Sequence, residues 1–218
     1  MSVAAEQKTK TLKNYVGGSW VDVTGAELHD VINPATGAAI ARVPFSTAAN
    51  LDDAVQAAKA ALPAWRGVST IARARKLFEL REKLEARKDE IARCVVTEMG
   101  RTFPDARAQG GRMNEMREAA TAIPTTMQGR ILEDVARGVD AETIRQPVGV
   151  CAAIAPFNFP AMVPFWFLPF AIACGNTFVL KPSEQVPMTQ ALVFESIVEL
   201  GLPDGVVNLV NGGREVVE

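Results

Sequence analysis

The stretch Val148-Gly149-Val150-Cys151-Ala152-Ala153-Ile154-Ala155 decides the fold. It is apolar throughout and shows no alternation, the pattern of a strand covered on both faces, as in a parallel sheet. The nearly wholly apolar segment 161–174 follows and reads as a buried helix. Thr177-Phe178-Val179-Leu180 repeats the strand pattern, 188–200 reads as a second helix, and Val206-Val207-Asn208-Leu209-Val210 reads as a third strand. Under the right-handed crossover preference, this β-α-β-α-β order predicts one parallel sheet with ligand sites beyond the carboxyl ends of its strands. Those ends are Ala155, Leu180 and Val210.

Upstream the pattern changes. Over 15–43, short apolar stretches are separated by Gly17-Gly18, Thr24-Gly25 and Asn33-Pro34-Ala35-Thr36-Gly37, turn chemistry that predicts an antiparallel flap. Asn50 reads as the N-cap of a helix whose apolar face runs from Leu51 through Leu62 and which is expected to end at Pro63. The segment 70–99 keeps helical period and reads as two amphipathic helices, broken near Arg87 and capped by Gly100. A further helix is predicted over 104–127, although Gly110 and Gly111 each cost it about 1 kcal/mol relative to alanine. Around Ile131, Leu132, Val135, Val139 and Ile144 no long period persists, which predicts an extended arm or hairpin.

Composition narrows the function. The 218 residues are 48% hydrophobic and 22% charged, ordinary globular material. With 23 basic and 25 acidic residues interleaved, no electrostatic footprint for nucleic acid or an anionic membrane stands out, so the expected partner is a small molecule. The apolar run 161–174 is shorter than the roughly 20 residues a spanning helix needs, and Pro164 and Pro169 interrupt it. Cys94, Cys151 and Cys174 form no C-x-x-C pair and read as small buried hydrophobes in a reducing compartment, the cytoplasm being the simplest. The lone His29 has no ligand cluster around it in sequence, so no metal site is expected. Residues 1–14 read as a loose polar arm.

The first strand runs into Ala155-Pro156-Phe157-Asn158-Phe159-Pro160 and the second into Lys181-Pro182-Ser183-Glu184. Together with Gly201-Leu202-Pro203-Asp204-Gly205-Val206-Val207-Asn208 and the early Asn33-Pro34-Ala35-Thr36-Gly37, these motifs resemble the aldehyde dehydrogenase superfamily over nearly the whole chain. The set is specific, whereas each motif alone is weak. Most members carry tryptophan where this chain has Phe157. The run from Phe157 to Pro164, Phe-Asn-Phe-Pro-Ala-Met-Val-Pro, is similar to the CoA-acylating methylmalonate-semialdehyde dehydrogenase branch.

The resemblance implies an α/β fold: a flap and helices over 15–129, an oligomerisation-type arm over 130–146, and over 147–218 the first three parallel strands of a doubly wound NAD-binding sheet. It also implies NAD as cofactor, CoA as co-substrate, a semialdehyde substrate and a homo-oligomer. Asn158 would serve the thiohemiacetal oxygen as an oxyanion donor, a contact typically worth roughly 3–4 kcal/mol. Its local sequence alone equally suits an Asx turn before Pro160. Lys181 and Glu184 would hold the adenosine ribose, the carboxylate favouring NAD over NADP. The other reading of that motif is a solvated turn with Ser183 capping the next helix. Ala155, Pro156, Phe157, Ser183 and Gln185 would line the cofactor, although relatives often carry a basic residue at the position of Gln185. Arg112, counted from Glu98-Met99-Gly100, lines up with an arginine that grips the substrate carboxylate; a surface arginine on a helix is the plain alternative.

No G-x-G-x-x-G follows the first strand, and no segment resembles the family's glycine-rich cysteine motif. Gly212-Gly213 opens what should be the next helix, and a three-stranded sheet stopping there would leave one face poorly covered and an edge strand open. The chain is therefore expected to be an N-terminal part, catalytically silent by itself. Two rivals remain at this level: a general aldehyde dehydrogenase that hydrolyses its thioester, and a nucleotide-binding or dimerising remnant.

Overall fold

A computed structural model describes residues 9–218. In chain order it holds two short strands, β1 (Asn14–Val16) and β2 (Ser19–Val21), and a longer pair, β3 (Glu27–Ile32) and β4 (Ala39–Phe45). The helices α1 (Ala48–Gly67), α2 (Thr70–Ala86), α3 (Lys88–Met99), α4 (Phe103–Ala120) and α5 (Ile123–Thr126) follow. Then come β5 (Arg130–Ala136), β6 (Val139–Thr143), β7 (Val150–Ile154), α6 (Leu168–Ala173), β8 (Thr177–Lys181), α7 (Met188–Val198) and β9 (Val207–Leu209). The β-α-β-α-β unit runs from β7 to β9, and β8 is parallel to both neighbours.

The sheet is larger than the three strands expected. Its order is β2-β1-β9-β8-β7 among the described residues, with β1 antiparallel to β9 through Tyr15 and Leu209. The edge at β9 is therefore covered by the N-terminal hairpin. Both faces of β8 are covered as well. Phe178 and Leu180 join the large core with Leu77, Leu80 and Leu84 of α2 and Ile91 and Val95 of α3, while Val179 packs with Ala54 and Ala58 of α1.

Buried amides dock the hairpin. Asn208 accepts the Gly17 N–H at 3.0 Å and donates to the Gly205 carbonyl at 2.8 Å. Asn14 accepts the Asn211 N–H at 2.8 Å and donates to Ser46 Oγ at 2.8 Å. The β1–β2 turn is Gly17-Gly18, with φ of 57° and 86°, the left-handed pair that matches strand twist in a two-residue hairpin. The polar arm expected over 1–14 is thus shorter. Leu12 is buried and Asn14 belongs to β1, while 1–8 lie outside the described residues. The flap over 15–43 divides in two, because β3 and β4 form a sheet of their own, joined to the N-terminal segment only by an isolated bridge between Thr11 and Arg42.

Four helix boundaries differ from expectation, one of them in the segment 104–127, which ends as α4 at Ala120 and resumes as the short α5 over Ile123–Thr126. Thr47, not Asn50, is the N-cap of α1; Asn50 lies at the third helical position and its Oδ1 accepts the Thr47 N–H at 3.0 Å. α1 also continues through Pro63 to Gly67. An interior proline costs about 3 kcal/mol. The turn beyond it is held by Trp65, 2% exposed, whose indole N–H donates to the Ile172 carbonyl at 3.0 Å. The run 161–174 is not one helix but a 3-10 turn, Val163–Trp166, followed by α6. Pro164 and Pro169 each open one of these pieces, where a missing N–H costs little.

The break at Arg87 and the left-handed Gly100 cap, φ 78°, lie where the sequence pattern puts them. The segment after Gly129 forms the β5–β6 hairpin, exposed along its whole length. Trp65→Ala should lower the unfolding free energy in urea titrations by about 3–5 kcal/mol, the usual cost of deleting a buried aromatic, because the bond that holds α1 beyond Pro63 goes with it.

Candidate functional site

β7 and β8 end together. Ile154 lies opposite Lys181 in the ladder, and the Ala155 N–H donates to the Lys181 carbonyl at 2.9 Å. The loops 155–160 and 181–185 therefore leave the sheet side by side. Ala155 is buried, whereas Pro156, Phe157 and Asn158 are exposed. The Asn158 carbonyl accepts from Arg101 Nη2 at 3.2 Å, while its carboxamide has no hydrogen-bond partner among the described residues. An Asx turn does not occupy it.

Lys181 ends β8 at 7% exposure, and its Nζ donates to Glu184 Oε2 at 2.6 Å. Burial pushes the Glu184 carboxyl upward. Against that, the Lys181 hydrogen bond, a bond from its own backbone N–H and the charges of Lys181 and His29 leave it below the ordinary carboxylate value. The pair presents a lysine donor beside a carboxylate acceptor, with one carboxylate oxygen not used by Lys181. Ser183 is buried and its Oγ accepts the Gln185 N–H at 3.3 Å, closing the turn on itself. It does not cap the next helix, which begins only at Met188. Gln185 and Phe157 line one cleft of about 350 Å³ together with Asp30, Pro34, Glu98 and Met99. Arg112 stands apart, exposed on α4 and without a hydrogen bond or ion pair to these side chains.

The cap of α7 comes from Glu98, a residue to which the sequence pattern assigns only the start of a count. Glu98 is 3% exposed; its Oε2 accepts the Met188 N–H at 2.7 Å and its Oε1 the Thr189 N–H at 2.9 Å. Burial raises its carboxyl to about 7, although the bonds from Thr189 and Met188 favour the anion. One sequence signal exists for it: an acid in the last turn of α3 opposes that helix's own dipole and so asks for another partner. Arg101, which binds the Asn158 carbonyl, was equally unmarked.

The three cysteines are free and partly buried. Burial, then the Glu98 charge, pushes the Cys94 thiol up to about 12, and burial raises Cys151 and Cys174 too. None is poised as a thiolate. Among the described residues, no group of three or more His, Cys, Asp or Glu could hold a metal, and no helix is long and apolar enough to cross a membrane.

Paired loops at the carboxyl ends of adjacent parallel strands, one bearing a free carboxamide and the other a lysine-carboxylate pair, define an α/β protein of the doubly wound type. The Aldehyde dehydrogenase family model matches residues 20–218, and the chain belongs to that family. It is 48% identical over 211 residues to malonate-semialdehyde dehydrogenase 2 of Bacillus mycoides, covering 97% of this chain and 44% of that protein. It is 50% identical over 210 residues to malonate-semialdehyde dehydrogenase 3 of Geobacillus kaustophilus, covering 96% of this chain and 43% of the other. Among solved structures, methylmalonate-semialdehyde dehydrogenase from Oceanimonas doudoroffii superposes with a TM-score of 0.93 at 39% identity, covering 96% of this chain and 43% of that one. A candidate methylmalonate-semialdehyde dehydrogenase of Sinorhizobium meliloti, solved in complex with NAD, gives 0.94 at 37% identity, with 97% and 43% covered. The chain thus spans less than half the length of these relatives.

Glu98→Gln keeps the size of the side chain and one of its two acceptors, and removes its titration. The folded value of about 7 lies above the unfolded value of 4.5, so the contribution of Glu98 to stability is fully present below 4.5 and is lost as pH rises through about 7. The stability of the wild type relative to Glu98→Gln should therefore fall between about pH 5 and about pH 8, by on the order of 3 kcal/mol. Urea titrations at both ends of that range measure it, and a pH-independent difference contradicts a titrating Glu98.

Proposed function

We propose that this chain is the cofactor-holding part of an NAD-dependent semialdehyde dehydrogenase that converts malonate or methylmalonate semialdehyde to an acyl-CoA with loss of carbon dioxide. The observation that carries this reading is that the Lys181–Glu184 pair and the free Asn158 carboxamide sit on two loops tied by the Ala155–Lys181 hydrogen bond. The names of the relatives supply the substrate class.

NAD, when bound, supplies the hydride acceptor. The residues present fit it. Lys181 and Glu184 would hold the adenosine ribose, the lysine as donor and the carboxylate as acceptor through the oxygen that Lys181 leaves open. The Glu184 charge repels a 2′-phosphate and so favours NAD over NADP. Ala155, Pro156, Phe157, Ser183 and Gln185 line the path of the cofactor. Asn158 donates to the oxygen of the aldehyde as negative charge develops there, the stage at which such a donor contributes about 3–4 kcal/mol. Arg112 suits the carboxylate of the semialdehyde, for which a guanidinium fork is the natural partner.

The raised thiols of Cys94, Cys151 and Cys174 support a nucleophile outside this chain, which by itself is expected to be silent. CoA as acyl acceptor rests on the similarity of the run from Phe157 to Pro164. A homo-oligomer fits the exposed β5–β6 hairpin, where Ile131 is 76% and Leu132 59% exposed. Free thiols fit a cytoplasmic location.

Saturation-transfer NMR of the chain with NAD and NADP tests the reading. The adenosine ribose protons of NAD should receive saturation and those of NADP far less. Glu184→Gln should weaken NAD about tenfold, since a hydrogen bond to a charged group contributes roughly 1.5–3 kcal/mol, and should narrow the gap to NADP. Equal saturation of the two dinucleotides by the wild type, unchanged in the variant, would overturn the assignment of Lys181 and Glu184.

A further inference from the structure

Arg101 touches the candidate site from outside both loops. It follows Gly100, whose left-handed φ of 78° turns the chain sharply off the end of α3. No side chain fits at that turn, because a Cβ on Gly100 would lie 2.8 Å from Pro34 Cγ. Arg101 is thereby aimed across the loop that leaves β7. Its guanidinium carbon lies 4.6 Å from the centroid of the Phe159 ring, and its Nη2 donates to the Asn158 carbonyl at 3.2 Å.

These contacts fall on consecutive residues and use only the main chain of Asn158. The carboxamide stays unengaged. A carboxylate partner would draw the guanidinium away from the loop, but Arg101 makes no ion pair among the described residues. A guanidinium held over an aromatic face is attracted by the ring quadrupole, and the planar fork leaves an N–H free for a carbonyl beside the ring. A second arginine–phenylalanine contact, Arg93 over Phe103 at 5.9 Å, is looser and reaches no residue of the site.

We infer that Arg101 is a positioning residue for Asn158, fixing the Asn158–Phe159 peptide so that the carboxamide is both aimed and free. This rests on the reading of Asn158 as the oxyanion donor. A catalytic amide gains most when it need not reorganise as charge develops, and a main-chain anchor provides that without occupying the N–H.

The test uses the uniformly ¹⁵N-labelled chain and the side-chain NH₂ signals of Asn158, identified by their loss in Asn158→Asp. Arg101→Met should shift and broaden those signals and the Phe159 backbone amide. Arg101→Lys should shift them less, because an ammonium retains the ring contact and a donor but not the fork. NAD saturation should remain as in the wild type in both variants. Asn158 signals at wild-type position and width in Arg101→Met overturn the inference. Should that variant not fold, unmoved signals in Arg101→Lys overturn it and a shift supports it. If instead the assignment of Lys181 and Glu184 fails, the dinucleotide data change while the Asn158 signals still respond to Arg101.

Discussion

The 2.9 Å hydrogen bond from the Ala155 N–H to the Lys181 carbonyl extends the parallel ladder between β7 and β8 by one step, and the candidate site depends on it. Parallel strands place their carboxyl ends on one side of the sheet, so loops of distant sequence emerge as neighbours. The loops that carry Lys181 and Asn158 leave the sheet as neighbours because of that register. A slip of one residue would turn every side chain of β8 to the opposite face and undo both packed layers at once. Because Phe178 and Leu180 face one layer and Val179 the other, the core guards the register tightly.

Polar groups far apart in sequence then lock the surroundings of the sheet. Asn208 and Asn211 hold the N-terminal hairpin against β9. Glu98 supplies both carboxylate oxygens to the first amides of α7. Burying a carboxylate is costly, and two backbone donors at a helix N-terminus, where the macrodipole favours negative charge, offset part of that cost. The balance tips toward burial, which leaves Glu98 with a carboxyl near neutral rather than acidic. Glu98, in the last turn of α3, reaches the start of α7 and Arg101, just past the Gly100 cap, reaches the Asn158 loop, so the Gly100 turn links the two.

Much of this was legible beforehand. Continuous apolar strands and the β-α-β-α-β order are local patterns, and the Arg87 break and Gly100 cap are local chemistry. Lys181, Glu184 and the Asn158 loop carry the motifs, and the two loops leave adjacent strand ends. Less was legible where a distant contact overrode a local rule. Pro63 signals a helix end, yet Trp65 finds a carbonyl on α6 and the helix continues. Asn50 looks like a cap, but the cap is Thr47. Pro164 and Pro169, which in the sequence speak against a membrane span, also divide the run 161–174 into two pieces, because neither can donate within a helix.

By itself, then, the sequence determined the family, the alternation of strand and helix, and which side chains crowd the strand ends, because periodicity and short motifs act within a few residues. Only the tertiary structure decided that the N-terminal hairpin closes one edge of the sheet, that Glu98 caps α7 and that Arg101 grips the Asn158 loop. Each of those depends on groups 57 or more residues apart, whose pairing is fixed by the packing of whole elements. No local pattern encodes it.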